Sequence, residues 1–142
     1  MAAHHLKQEG ANIFCHNNRT MEDARALSKN FAGTPVEAEE LGSVAYDLIV
    51  NATPVGMTPN VANSPILKEY IRPDSVVFDV IYTPLETQLM KDAKERGARA
   101  ISGLGMLVAQ GLEQERLWLD REISDDGYTE ILREKLSNNY TR

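Results

Sequence analysis

The sequence predicts an α/β fold in which a parallel sheet carries helices on both of its faces. Three observations predict it. Short strand-type runs at 12–16, 47–51, 75–81 and 100–102 alternate with longer stretches whose apolar residues recur every three or four positions. The runs at 47–51 and 75–81 are almost continuously apolar, which is the pattern of parallel strands buried on both faces. The loops after the strands carry polar and glycine residues beyond what a connector needs, as suits a sheet that binds ligands at the carboxyl ends of its strands.

In chain order, residues 2–9 read as a helix missing its beginning and ending at Gly10, which suits a left-handed turn. Residues 12–16 read as a buried strand. A helix follows from Met21 to about Phe31, with Ala24, Leu27 and Phe31 on one side. Thr20 and Asp23 resemble a capping box with Asp where Glu or Gln is usual. Residues 34–38 form a short strand whose Pro35 puts it at a strand start or a sheet edge, and 39–41 add a helical turn. The strand at 47–51 opens into a loop that runs through Pro65, then a short helix at 66–70. The strand at 75–81 is the clearest of all.

Thr83-Pro84-Leu85-Glu86 supplies a Thr cap, a first-turn proline and a Glu at the third position, so a helix is expected to start there and to end at Gly97. On it, Lys91 with Glu95 and Asp92 with Arg96 have the spacing of ion pairs worth about 0.2–0.5 kcal/mol each. After the strand at 100–102, Gly103 and Gly105 open a long helix to about Arg121. A polar break at 124–127 precedes an amphipathic helix carrying Ile131, Leu132 and Leu136.

Length and composition bound the function. The 142 residues make about one domain, and 42% apolar with 25% charged is a globular composition. No apolar run approaches the roughly 20 residues that cross a bilayer. Fifteen basic against twenty-one acidic side chains give net −6, which argues against a nucleic-acid backbone or an anionic membrane as partner, so any anion site is local. A single cysteine, Cys15, excludes an internal disulfide and a cysteine-rich zinc site. The start lacks a secretory apolar segment, and a cytoplasmic setting is expected. His4, His5 and His16 lack metal-ligand spacing, and no metal is assigned.

Asn17-Asn18-Arg19-Thr20 follows a strand and enters a helix, setting a guanidinium beside the open N–H groups of a helix start: a local anion site. In a dinucleotide-binding fold the end of the second strand meets the adenosine ribose, where Arg favours a 2′-phosphate, so Arg19 argues for NADP. The plainer reading has Asn18 and Thr20 capping the helix while Arg19 is solvated. In Asn51-Ala52-Thr53-Pro54-Val55-Gly56-Met57, either Asn51 or Thr53 bonds a ligand, or both satisfy their own loop. In the segment from Ser102 to Gly111 the glycines admit a ligand to the backbone. Gln110 lies one turn beyond Met106 and Leu107 on an apolar side of the helix. Burying that amide unpaired costs about 1–3 kcal/mol, so it requires an internal partner or a ligand.

These segments resemble the C-terminal cofactor-binding domain of the shikimate dehydrogenase family, quinate/shikimate dehydrogenases included. The resemblance rests on Asn18-Arg19-Thr20, the 51–57 loop, Asp79-Val80-Ile81-Tyr82 with Pro84, and Ser102-Gly103-Leu104-Gly105-Met106-Leu107-Val108-Ala109-Gln110, in family order over about residues 2–121. Glutamyl-tRNA reductase-like domains share the Asn-Arg-Thr turn, but the glycine pair and Gln110 disfavour them. The resemblance implies reversible NADP-dependent hydride transfer between shikimate and 3-dehydroshikimate. It implies that Asn18, Arg19 and Thr20 receive the adenosine 2′-phosphate, that Thr53, Val80 and Gly103 line the dinucleotide path, and that Tyr82 and Gln110 touch the substrate. Asp23 stands where the family often has a basic residue, which weakens the preference for NADP and leaves NAD possible.

The expected organisation is a Rossmann-like, partial dinucleotide-binding domain over 1–121 with a helical extension over 122–142, lacking the usual first strand and Gly-rich loop. The family's substrate domain, with its Lys/Asp pair, is not matched either, so no catalytic residue is assigned and the chain alone is expected to be inactive. Its expected partners are shikimate or a related small molecule, a separate substrate-domain chain, and further copies of itself. The missing first strand is central in a 3-2-1-4-5-6 sheet, so the strands at 12–16 and 47–51 are expected to pair directly or to recruit another chain. A non-catalytic dinucleotide-binding or regulatory module is the other reading.

Overall fold

A computed structural model describes residues 2–12, 14–15 and 20–139, which gather into two compact units, 1–45 and 46–142. The contacts divide after Ala45. The first unit holds α1 (Ala2–Gln8), β1 (Phe14–Cys15), α2 (Met21–Phe31), β2 (Thr34–Pro35) and a 3-10 turn at Ala38–Ser43. As the sequence predicts, α1 closes at Gly10, whose φ of 84° is left-handed. Thr20 caps α2 from extended backbone, its hydroxyl accepting from the Asp23 amide at 3.4 Å and donating to the Asp23 carboxylate at 2.8 Å. The Asp23 carboxylate thus takes the proton of the same hydroxyl that caps its own amide. Of the spaced apolar residues on α2, Ala24 is buried and Leu27 is exposed. β1 pairs with β2 in parallel, Phe14 opposite Thr34 and Cys15 opposite Pro35, with α2 as the crossover.

The second unit is built on β3 (Leu48–Asn51), β4 (Val76–Asp79) and β5 (Arg99–Ser102), a parallel sheet in the order β3-β4-β5. α3 (Gln88–Glu95) crosses from β4 to β5, and α4 (Leu104–Leu119) and α5 (Tyr128–Asn139) follow, packed on each other. Ile49, Val77 and Ala100 align across the strands, and Val77 meets Ile71, Leu89, Ala93 and Ala98 in the core. Complete burial of Ile71, Leu89 and Val77 contributes about 1.5–3 kcal/mol each. The burial expected for both faces is unequal: Leu48 and Ile101 are exposed, and Val50, Val76 and Phe78 are half-buried.

Several local expectations change. α3 begins after Thr87, whose hydroxyl accepts from the Met90 amide, and not after Thr83. The residues of the expected ion pairs on α3 take other partners, two of them distant in sequence and one a turn away on the same helix. Glu95 pairs with Lys68, Asp92 accepts from Gln88 at 2.8 Å, and Arg96 donates to the Ile71 carbonyl at 3.1 Å. The helix expected at 66–70 is a 3-10 turn, Lys68–Tyr70. Among the described residues β1 is paired with β2, and β3 with β4.

Candidate functional site

Parallel register brings Asn51, Asp79 and Ser102, the last residues of β3, β4 and β5, level with one another. Asp79 is wholly buried, as is Thr87, and Asn51 is 3% exposed, so every polar atom here needs a partner. One carboxylate supplies most of them. Asp79 Oδ1 accepts from Asn51 Nδ2 and from the Ile81 amide, each at 3.1 Å, and Oδ2 accepts from the Thr87 hydroxyl at 2.6 Å. Asn51 Nδ2 also donates to the Val55 carbonyl at 3.2 Å, while its Oδ1 accepts the Thr53 amide at 3.0 Å and the Thr53 hydroxyl at 2.7 Å. Thr53 Oγ1 in turn accepts from the Val55 amide at 3.2 Å. The loop after β3, the turn after β4 and the start of α3 thus share one hydrogen-bonded joint.

The turn after β5 fits the same sheet end through a missing side chain. A Cβ on Gly103 would lie 2.1 Å from the Val80 carbonyl oxygen, far inside contact, and the Gly103 amide donates to the Ile81 carbonyl at 3.3 Å. Gly103 is glycine because backbone seats on backbone. Gly105 differs, since a Cβ there meets nothing within 4 Å. The Ser102 hydroxyl accepts from the Leu104 amide at 3.2 Å and steadies the entry into α4.

Of the residues singled out from sequence, Thr53, Val80, Tyr82 and Gly103 converge at the carboxyl ends of β3, β4 and β5. The Thr53 hydroxyl is already engaged twice, leaving a ligand one acceptor lone pair. Val80 is half-buried and Tyr82 is 40% exposed. Gln110 lies on α4 but is exposed, so the burial cost that demanded a partner does not arise. Thr20 is exposed in the first unit as the α2 cap, while Asn18 and Arg19 lie outside the described residues. Sequence reasoning missed Asp79 and Thr87 as the centre of the network. The signal was a carboxylate inside the apolar run Val76-Val77-Phe78-Asp79-Val80-Ile81, a residue type that is buried only when paired.

Parallel strands joined by helical crossovers, with polar residues gathered where the strands end, define a Rossmann-like α/β protein. No family model matches the chain. It is 43% identical over 116 residues to the shikimate dehydrogenase (NADP(+)) of Methanocaldococcus jannaschii, covering 71% of this chain and 39% of that protein. The solved shikimate 5-dehydrogenase of Thermus thermophilus, in complex with NADP(H) and shikimate, superposes with TM-score 0.82 at 32% identity, over 93% of this chain and 49% of that one. That of Listeria monocytogenes, in complex with shikimate and NAD, gives 0.70 at 27% identity, over 85% and 46%. The chain belongs to the shikimate dehydrogenase family. It spans less than half the length of these relatives.

Proposed function

We propose that the chain is the NADP-binding portion of a shikimate dehydrogenase, which moves hydride reversibly between shikimate and 3-dehydroshikimate. The observation that carries this is the convergence of the 51–57 loop, the turn through Tyr82 and the Gly103 turn at one sheet end, in a chain whose relatives are named for that activity. These residues fit a dinucleotide. The start of α4 is open at Gly105, Thr53 keeps an acceptor lone pair, and the turn after β4 ends in a half-exposed aromatic ring. Asn18, Arg19 and Thr20 would hold the 2′-phosphate, Thr53, Val80 and Gly103 the path between the rings, and Tyr82 and Gln110 the substrate. NADP, when bound, supplies or accepts the hydride. No Lys/Asp pair for the accompanying proton is matched within these residues, so this chain needs a substrate domain to turn over.

Two titrations test the reading. Wild type should prefer NADP to NAD, and Arg19→Ala should remove the preference by weakening NADP alone; equal affinities untouched by the substitution would sink it. Adding a substrate-domain chain should restore shikimate-dependent NADP reduction, and continued inactivity would favour a non-catalytic binding module. One observation supports relaxed cofactor choice: the Asp23 carboxylate is held at the Thr20 hydroxyl, beside the proposed phosphate position. Asp23→Asn should therefore raise the ratio of NADP to NAD affinity several-fold, read from the same titrations.

A further inference from the structure

We propose that Asp79 is the positioning residue that locks the cofactor-side loop and the substrate-side turn to each other, so that neither takes its working geometry without the other. The assignment of those two segments rests on the functional reading above, but the lock itself does not. Asp79 touches neither proposed ligand. It acts through three donors on three segments: Asn51 at the head of the 51–57 loop, the Ile81 amide directly before Tyr82, and Thr87 at the cap of α3.

The two oxygens divide the work. Oδ1 serves the site: its bond to the Ile81 amide folds the chain back two residues beyond the strand end and aims Tyr82, while its bond to Asn51 Nδ2 fixes the orientation of that amide. So oriented, Asn51 presents Oδ1 to both the amide and the hydroxyl of Thr53, and the Thr53 hydroxyl then receives the Val55 amide. A rotated Asn51 would turn its NH2 group toward those donors and undo the loop. Oδ2 serves the fold, holding the Thr87 hydroxyl that caps α3. Asn51 and Asp79 are level neighbours on β3 and β4, so the side-chain link crosses the ladder at its last register pair, beside the backbone bond from the Val80 amide to the Asn51 carbonyl at 3.1 Å.

Hydrogen exchange resolved at single amides of the unliganded chain tests the division. Asp79→Ala should speed exchange about tenfold at Ile81, Thr53 and Val55 together, the effect of losing one hydrogen bond in each local opening. Thr87→Val should speed Met90 and the first turn of α3 and leave the other three amides unchanged. If Asp79→Ala fails to fold, Asp79→Asn keeps the Oδ1 bonds and turns an NH2 group toward the Thr87 hydroxyl, which still accepts from Met90, so Ile81, Thr53, Val55 and Met90 should all keep exchange close to wild type. The proposal is overturned if Thr53 and Val55 keep wild-type exchange when Ile81 loosens, or if Thr87→Val loosens all three. An NADP titration of the same variants separates the two claims. Wild type that fails to bind NADP while the exchange pattern holds refutes the functional reading and leaves the lock. Binding with the exchange pattern absent refutes the lock and leaves the reading.

Discussion

Gly103 and Gly105 look equivalent in a one-letter string and are opposites in the fold. Gly103→Ala would drive a methyl group into the Val80 carbonyl, which is backbone and cannot rotate away, and should cost about 3 kcal/mol or prevent folding. Gly105→Ala meets open space inside α4 and should raise stability by about 0.5–1 kcal/mol in a urea melt, while weakening NADP if a ligand approaches there. Tyr46 carries a different residue-scale test. Its hydroxyl donates to the Tyr70 carbonyl and accepts from the Arg72 amide at 3.0 Å. Burial holds its pKa above the ordinary tyrosine value, outweighing the Arg72 hydrogen bond and the Arg72 and Arg96 charges that lower it. The folded state thus keeps the proton more tightly, and its contribution is complete below the unfolded value near 10 and lost as pH rises through the folded one. Tyr46→Phe should cost about 1–2 kcal/mol at neutral pH, and the gap to wild type should narrow in melts taken above pH 10.

At the scale of elements, capping separates what local sequence can specify from what it cannot. Thr83-Pro84-Leu85-Glu86 has the better local signature, yet α3 starts at Gln88 because the Thr87 hydroxyl has a buried acceptor in Asp79 waiting across the sheet end. Thr87→Ala should therefore cost about 2–3 kcal/mol, the cap and a buried bond together, against about 1 kcal/mol for Thr20→Ala at the exposed start of α2. Thermal melts of the two variants compare them directly. The same contrast explains the rest of the reading. The order of strands and helices was legible because 3.6-residue and strand-like patterns alternate so plainly, and the Thr20 cap because it is local. The Asp79 joint, the Lys68–Glu95 pair and the exposure of Leu27 and Gln110 were not, because each depends on which distant segment arrives alongside.

For the whole molecule, the two ladders raise the question of edges. β3 has β4 on one side and, among the described residues, no strand on the other, and Leu48 on it is 38% exposed. Such an edge is a template for another strand. Sedimentation velocity over a concentration series should reveal self-association that Leu48→Lys reduces. A monomer at every concentration would count against that expectation and leave pairing to a strand from elsewhere in a longer protein or from a partner chain.

The seat of Gly103 on the Val80 carbonyl also makes α4 a lever with a fixed fulcrum. Six residues separate Leu104 from Gln110, an arm of about 9 Å at 1.5 Å per residue, so a tilt of about 10° at the seat swings the Gln110 backbone by about 1.5 Å. Misplacement on that scale is enough to cost an oriented reaction about 100-fold. If Gln110 meets the substrate as proposed, a residue with no side chain at all sets the aim of an amide two turns away, and a change at the fulcrum should read out in the kinetics of the enzyme completed by a substrate domain.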